Sequence, residues 1–246
     1  MLRGNKAIVT GGSRGIGFSI AKMLAQEGCQ VLVTGRNQET IQNASEAIGS
    51  NVIPMVWDVS DIRQIGVRFA EAVEQLGGLD ILVNNSGIFA RRSEWSPSSL
   101  LETTYDEWQQ VIDTNQTAVF FTMQAAVKYM VDNGIKGNVL NVSSVAGYEP
   151  VYGAYGASKV AAVNLTRGWG KHFAPKGIVI NGIAPGPVAT EMNHWHEGDS
   201  MENKRIPFGR YASSEEIAHL AKYLLSEEAQ MVCGETVIID GAYAIR

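Results

Sequence analysis

Short runs of apolar, largely β-branched residues alternate with longer amphipathic stretches along the whole chain. The runs Ala7–Thr10, Val31–Thr34, Val52–Trp57, Leu79–Val83, Asn138–Val142, Val179–Ile183 and Thr236–Ile239 are short and show little polar alternation. Strands covered on both faces read this way. Between them, helical spacing predicts helices at Ile16–Glu27, Glu39–Ile48, Ile62–Leu76, Tyr105–Asp132, Tyr152–His172 and Ser214–Leu225. Strands alternating with helices predict an α/β fold, a seven-stranded parallel, doubly wound sheet with helices on both faces. Ligands of such sheets bind beyond the carboxyl ends of the strands, near the point where strand order reverses.

Composition narrows the class. The chain has 246 residues, 45% hydrophobic and 18% charged, which suits one globular domain spanning 1–246. Its net charge is −5 and its basic residues are scattered, so no nucleic-acid face is expected. No apolar run is long enough to span a bilayer, and a strand begins near Lys6 where a signal peptide would lie. Cys29 and Cys233 are the only cysteines. Two distant thiols fit a reducing cytoplasm, each reading as a small buried apolar residue, with a disulfide or a reactive thiol as the alternative. His194-x-His196 has a metal-like spacing but no third ligand suitably placed nearby, so no metal is expected.

Three segments carry chemistry. Thr10-Gly11-Gly12-Ser13-Arg14-Gly15-Ile16-Gly17 links the first strand to the first helix. Glycines there permit a tight turn and close backbone approach to a pyrophosphate, and the helix N-terminus offers free N–H groups. The same letters, Gly11-x-Ser13-x-Gly15, match the nucleophile elbow of a serine hydrolase. An elbow on the very first strand, however, leaves no earlier loop to supply its second oxyanion donor. At the end of the second strand, Gly35 and Arg36 offer no acid for a ribose 2′-hydroxyl. Arg36 with Arg14 suits a 2′-phosphate, favouring NADP(H) over NAD(H); the alternative is two ordinary surface arginines. Asp58 is placed to accept from an adenine amino group or to cap the next helix, although Asp61 is better placed to cap. Finally, Tyr155 and Lys159 lie four residues apart, on one helix face. A lysine ammonium there would draw the phenol's pKa down and suit Tyr155 to proton transfer at a substrate oxygen.

Taken together, these motifs resemble the short-chain dehydrogenase/reductase family, with its Rossmann fold, nearly end to end. The resemblance runs through the glycine turn, Asp58-Val59, Asn84-Asn85-Ser86-Gly87, Asn115, Asn141-Val142-Ser143-Ser144, Tyr155-x-x-x-Lys159, Asn181-Gly182-Ile183-Ala184-Pro185-Gly186, Thr190 and Asp240-Gly241-Ala242. Within the family the chain looks most similar to bacterial 3-oxoacyl-carrier-protein reductases. The resemblance implies that Tyr155 is the general acid in reduction and that Lys159 lowers its pKa and holds the nicotinamide ribose. Ser144 would bond the substrate carbonyl oxygen, and Asn115 would link Lys159 to solvent through a water. Gly11, Ser13, Gly15, Ile16, Gly17, Asn85, Ser86 and Gly87 would line the cofactor. Pro185, Gly186, Val188 and Thr190 would lie beside the nicotinamide. A homotetramer is implied on the same footing. For Asn115 and Ser144 the residues alone also allow purely local roles, satisfying backbone or making a turn.

Some features depart from the pattern. Ser144 lies eleven residues before Tyr155, where the family more often shows about thirteen, so Ser143 is an alternative working serine. The stretch Phe89–Thr103, with Arg91, Arg92 and Trp95, is longer than in plain members and is read as a pocket wall or a surface loop. Ser86 and Ala242 replace the usual small residues, with little consequence expected. A flap at about 191–209 is expected to close over substrate. Tyr148, Tyr152, Met192 and Trp195 are candidates to line an apolar pocket or a subunit contact, with Glu149 at its mouth. The sequence thus predicts an NADPH-preferring reductase of a ketone. A sugar, polyol or hydroxysteroid dehydrogenase and a non-catalytic nucleotide sensor are the alternatives, with a serine hydrolase last.

Overall fold

The computed structural model describes residues 1–89 and 100–244. Arg91, Arg92 and Trp95 of the long segment lie outside the described residues. Seven parallel strands form one sheet in the order β3-β2-β1-β4-β5-β6-β7. The strands are β1 (Lys6–Val9), β2 (Gln30–Gly35), β3 (Val52–Val56), β4 (Ile81–Asn84), β5 (Asn138–Val142), β6 (Val179–Pro185) and β7 (Thr236–Ile239). Helices α1 (Gly15–Gln26), α2 (Gln38–Ile48) and α3 (Ile65–Leu76) follow the first three strands. Helices α4 (Tyr105–Ile112) and α5 (Ala118–Asp132) join β4 to β5, α6 (Ala154–Phe173) follows β5, and α7 (Ser214–Leu224) precedes β7. The order reverses between β1 and β4, which opens a crevice at their carboxyl ends.

The sheet is buried on both sides. One core packs Val31, Val33 and Val83 against Ile20, Leu24, Ile217 and Leu224. The other packs Ile8, Leu32, Leu82 and Val139 against Phe69, Leu76, Met123 and Met130. Alternate residues of one strand feed opposite cores, so the strands are apolar throughout. Cys29 is buried and Cys233 half-buried, both unpaired. Burial first, then the charges of Asp80 and Glu27, push the Cys29 thiol up to about 11, so it stays protonated and packs as an apolar group.

The long helix expected at Tyr105–Asp132 is present but interrupted. Asp113–Thr117 form one π-helical turn between α4 and α5. The expected helix at Ile62–Leu76 begins with a 3₁₀ turn, Ile62–Gln64. Asp61 occupies the capping position there but makes no side-chain cap bond. Asp58 instead folds the approach, its Oδ1 accepting from Ser60 N at 3.0 Å and Ser60 Oγ at 2.7 Å. Among the described residues no helix is long and apolar enough to cross a membrane.

Candidate active site

Most of the sequence-predicted residues gather where the carboxyl ends of β1, β4, β5 and β6 meet, while Arg36 follows β2 and Asp58 and Val59 follow β3. The glycine turn is built by close approach. A Cβ on Gly17 would lie 2.2 Å from the Gly11 carbonyl and 2.3 Å from Asn85 Nδ2, while Gly11 (φ 67°) and Gly15 (φ 55°) hold left-handed backbone. Arg14 caps α1 with extended backbone and no side-chain cap bond, and the first turn has no acid. The helix N-terminus therefore keeps its donors and positive dipole end for an anion, which fits a nucleotide pyrophosphate.

Asn85 braces that turn. Its Nδ2 donates to the carbonyls of Thr10 (3.0 Å) and Gly11 (2.9 Å), and Thr10 Oγ1 accepts from the amides of Asn85 and Ser86. Ser86 packs against Gly11: a Cβ there would stand 3.0 Å from Ser86 Oγ. Beneath, Asn84 and Asn141 form a buried polar bridge that the sequence reading did not anticipate. Thr122 donates to Asn84, Asn84 to Asn141, and Asn141 to Thr166, tying α5, β4, β5 and α6 together. Each buried amide is thereby matched, which avoids the cost of an unpaired polar group.

Lys159 and the β5 end are cross-linked in both directions. Lys159 Nζ donates to the Val142 carbonyl at 3.1 Å, and Ser143 Oγ donates to the Lys159 carbonyl at 3.0 Å. Ser143 is thus buried and committed to α6. Ser144, half-buried, accepts from Ala146 N at 3.2 Å and keeps its hydroxyl proton to donate. Between Ser144 and Tyr155 lies a 3₁₀ turn at Val145–Gly147, packed so closely that a Cβ on Gly147 would lie 2.9 Å from the Lys159 carbonyl.

Tyr155 sits in the first turn of α6, buried beside Val111 and Ala154. Lys159 Nζ lies 5.5 Å from the centre of its ring, and the Phe89 ring packs on it with centroids 4.2 Å apart. Lys159 is fully buried, and desolvation pushes its pKa down to about 8. Asn115, in the π turn, exchanges two bonds with Ile88: Oδ1 accepts from Ile88 N at 2.8 Å and Nδ2 donates to Ile88 O at 2.9 Å. Its second N–H reaches Ser158 Oγ at 3.3 Å, and Ser158 donates to the Tyr155 carbonyl. Both Asn115 donors are therefore used locally. A water link to Lys159 is left one Oδ1 lone pair or the main-chain carbonyl. A Cβ on Gly87 would stand 3.6 Å from both Asn115 Oδ1 and Lys159 Nζ.

After β6, Gly186 packs on Asp240, and the Val188 carbonyl accepts from Asn193 Nδ2 at 2.8 Å and from Thr190 Oγ1 at 3.4 Å. In the segment read as a flap, the Trp195 indole donates to the Ser200 carbonyl, and Tyr211 N donates to the Met201 carbonyl. Arg14 reaches this region and pairs with Glu191. Tyr148 stays exposed, and its hydroxyl donates to the Thr236 carbonyl of β7 at 3.0 Å. Phe89 opens the stretch read as a pocket wall and Glu191 the stretch read as a flap, but the sequence reading did not foresee their pairing with Tyr155 and Arg14.

A family model described as enoyl-(acyl carrier protein) reductase matches residues 11–244. Gluconate 5-dehydrogenase of Gluconobacter oxydans is 37% identical over 99% of this chain and 96% of its own. The 3-oxoacyl-[acyl-carrier-protein] reductase of Thermotoga maritima is 33% identical over 99% of each. The crystal structure of actinorhodin polyketide ketoreductase with NADPH superposes with a TM-score of 0.88 at 28% identity, covering 98% of both chains. The chain belongs to the short-chain dehydrogenase/reductase family and is an oxidoreductase. Such enzymes use nicotinamide dinucleotide cofactors and act on small-molecule substrates.

Proposed function

We propose that this enzyme reduces a ketone to a secondary alcohol with a preference for NADPH, in the manner of a 3-oxoacyl thioester reductase. The observation that carries this reading is the buried Lys159 amine beneath the Tyr155 ring, with the Ser144 hydroxyl at the adjoining strand end. A bound nicotinamide supplies the hydride. Tyr155 gives its phenolic proton to the carbonyl oxygen as negative charge develops there. Ser144 donates to the same oxygen and steadies that charge. Lys159, when protonated, stabilises the phenolate that Tyr155 becomes, and Asn115 holds the β4 loop and α6 in register around them.

Gly11, Ser13, Gly15, Ile16 and Gly17 would hold the pyrophosphate and Arg36 with Arg14 the 2′-phosphate. Asp58 and Val59 would hold the adenine, and Pro185, Gly186, Val188 and Thr190 the nicotinamide end. Phe89 against Tyr155 supports a substrate with an apolar group beside its carbonyl. An aromatic-lined groove of about 530 Å³ between α5 and α6, walled by Phe120, Phe121, Leu165 and Trp169, supports the expected homotetramer by offering a face for a second copy. The unpaired thiols support a cytoplasmic setting.

A second reading, oxidation of a sugar acid or polyol, is favoured by the 37% identity to gluconate 5-dehydrogenase. The test is nicotinamide absorbance against a panel of 3-ketoacyl thioesters, ketosugars and ketosteroids with NADPH and NADH, plus the matching alcohols with the oxidised cofactors. Efficient thioester reduction supports the first reading. Activity confined to sugars or polyols replaces it with the second.

A further inference from the structure

Arg14 stands at the junction of the glycine turn and α1, and its side chain does not stay within that turn. Its guanidinium pairs with the carboxylate of Glu191, the first residue of the 3₁₀ turn that opens the flap. Among the described residues this is the only charged partner Arg14 has. The two segments are also in contact otherwise, since a Cβ on Gly15 would lie 3.3 Å from Thr190 Cγ2. A guanidinium fork recognises carboxylate and phosphate oxygens by the same geometry, and one fork engaged by Glu191 is less available to a phosphate.

We propose that Glu191 determines cofactor specificity: it occupies Arg14 in the free enzyme and competes with the 2′-phosphate of NADP(H), narrowing the discrimination between NADP(H) and NAD(H). The proposal rests on the reading that Arg14 and Arg36 receive that phosphate. NADP(H) must draw Nη1 off the carboxylate to use the whole Arg14 fork, whereas NAD(H), lacking the phosphate, leaves the pair in place. Both side chains are mostly exposed, at 72% and 57%, so the competition is modest, and its removal should be felt as about a two- to five-fold change in affinity.

The test is equilibrium titration of the purified enzyme, without substrate, following reduced-nicotinamide fluorescence on binding of NADPH and of NADH. Glu191→Gln should bind NADPH about two- to five-fold tighter and leave NADH affinity where it was. In an Arg14→Ala background the Glu191→Gln change should have no effect on either cofactor. If Arg14→Ala selectively weakens NADPH but Glu191→Gln leaves the NADPH-to-NADH ratio of affinities unchanged, the competition does not exist although Arg14 reads the phosphate. If Arg14→Ala weakens both cofactors equally, Arg14 does not read the 2′-phosphate, and the inference falls with that reading.

Discussion

The Lys159 amine lies 5.5 Å from the centre of the Tyr155 ring and donates to the Val142 carbonyl at 3.1 Å. It is enclosed on every side, and burial alone lowers its pKa to about 8. The site therefore keeps a cation where water is excluded, an arrangement that disfavours the folded state and favours a phenolate beside it. On the proposed mechanism, stability and catalysis make opposite demands on the same side chain.

Replacing Lys159 by Met should separate those demands. The folded pKa lies below the unfolded one, so between about 8 and the ordinary value of 10.5 the unfolded chain binds more protons. Stability of the parent should rise with pH through that window, with the full penalty, at most about 3 kcal/mol, present below it. Lys159→Met removes the penalty but leaves the Val142 carbonyl unpaired, which costs about 1–3 kcal/mol, so a net gain requires the desolvation penalty to exceed that cost. At pH 7, without cofactor, the variant should melt higher by about 2–4 °C for each kcal/mol of net gain. The advantage should shrink as pH approaches 10.5, while turnover collapses. A lower melting temperature at pH 7 would mean the buried amine stabilises the fold.

Tyr155→Phe removes one oxygen and keeps the ring that packs on Phe89. Turnover should fall at least about 10²- to 10⁴-fold, the range general acid catalysis supplies. Affinity for NADPH, read by fluorescence titration, should change little, since the glycine turn and Arg36 are untouched. Retained turnover in this variant would take Tyr155 out of the proton-transfer role.

Most of the fold was legible because its signals are local. The strands announce themselves as short apolar runs, and Gly11, Gly15 and Gly17 as a pattern that no other residues could satisfy at those backbone angles and contacts. The expected start of the fourth strand at Leu79 was early. Asp80 accepts from the Asn5 and Lys6 amides with its side chain and enters the sheet at Ile81. The π turn at Asp113–Thr117 was invisible because it adds one residue without disturbing the apolar pattern on either side. Phe89 with Tyr155, and Arg14 with Glu191 across 177 residues, meet only through tertiary folding, so no window along the chain contains either pair.

Ala242 was read as a harmless replacement in the closing Asp240-Gly241-Ala242. It adopts φ 69°, a left-handed conformation that costs a non-glycine residue about 1–2 kcal/mol. The Asp240 carboxylate imposes it by accepting from Ala242 N at 2.9 Å and Ala244 N at 2.7 Å. Ala242→Gly relieves the strain but gives the unfolded chain more freedom, so a net gain of about 0.5–1 kcal/mol is expected. Urea unfolding should show a higher midpoint at an unchanged slope. An unchanged or lower midpoint would show that the turn tolerates Ala242 without strain.

The last prediction concerns how the nucleotide is read at its adenosine end. Arg36 is exposed just after β2, and Asp58 is exposed two residues after β3, with Oδ1 already held by Ser60 N and Oγ. On the proposed reading these two side chains address different parts of a dinucleotide. A guanidinium at Arg36 can distinguish the presence of a 2′-phosphate, whereas Oδ2 of Asp58 would meet an adenine common to both cofactors. Arg36→Ala should therefore weaken NADPH by about 10- to 100-fold, the worth of a charge-assisted bond, and NADH by less than about two-fold. Asp58→Asn should weaken both by similar factors. Raising ionic strength should erode NADPH affinity more steeply than NADH affinity in the parent, and the two slopes should converge in Arg36→Ala. Equal losses of both cofactors in Arg36→Ala would remove the basis for an NADPH preference and leave Arg36 as a surface residue.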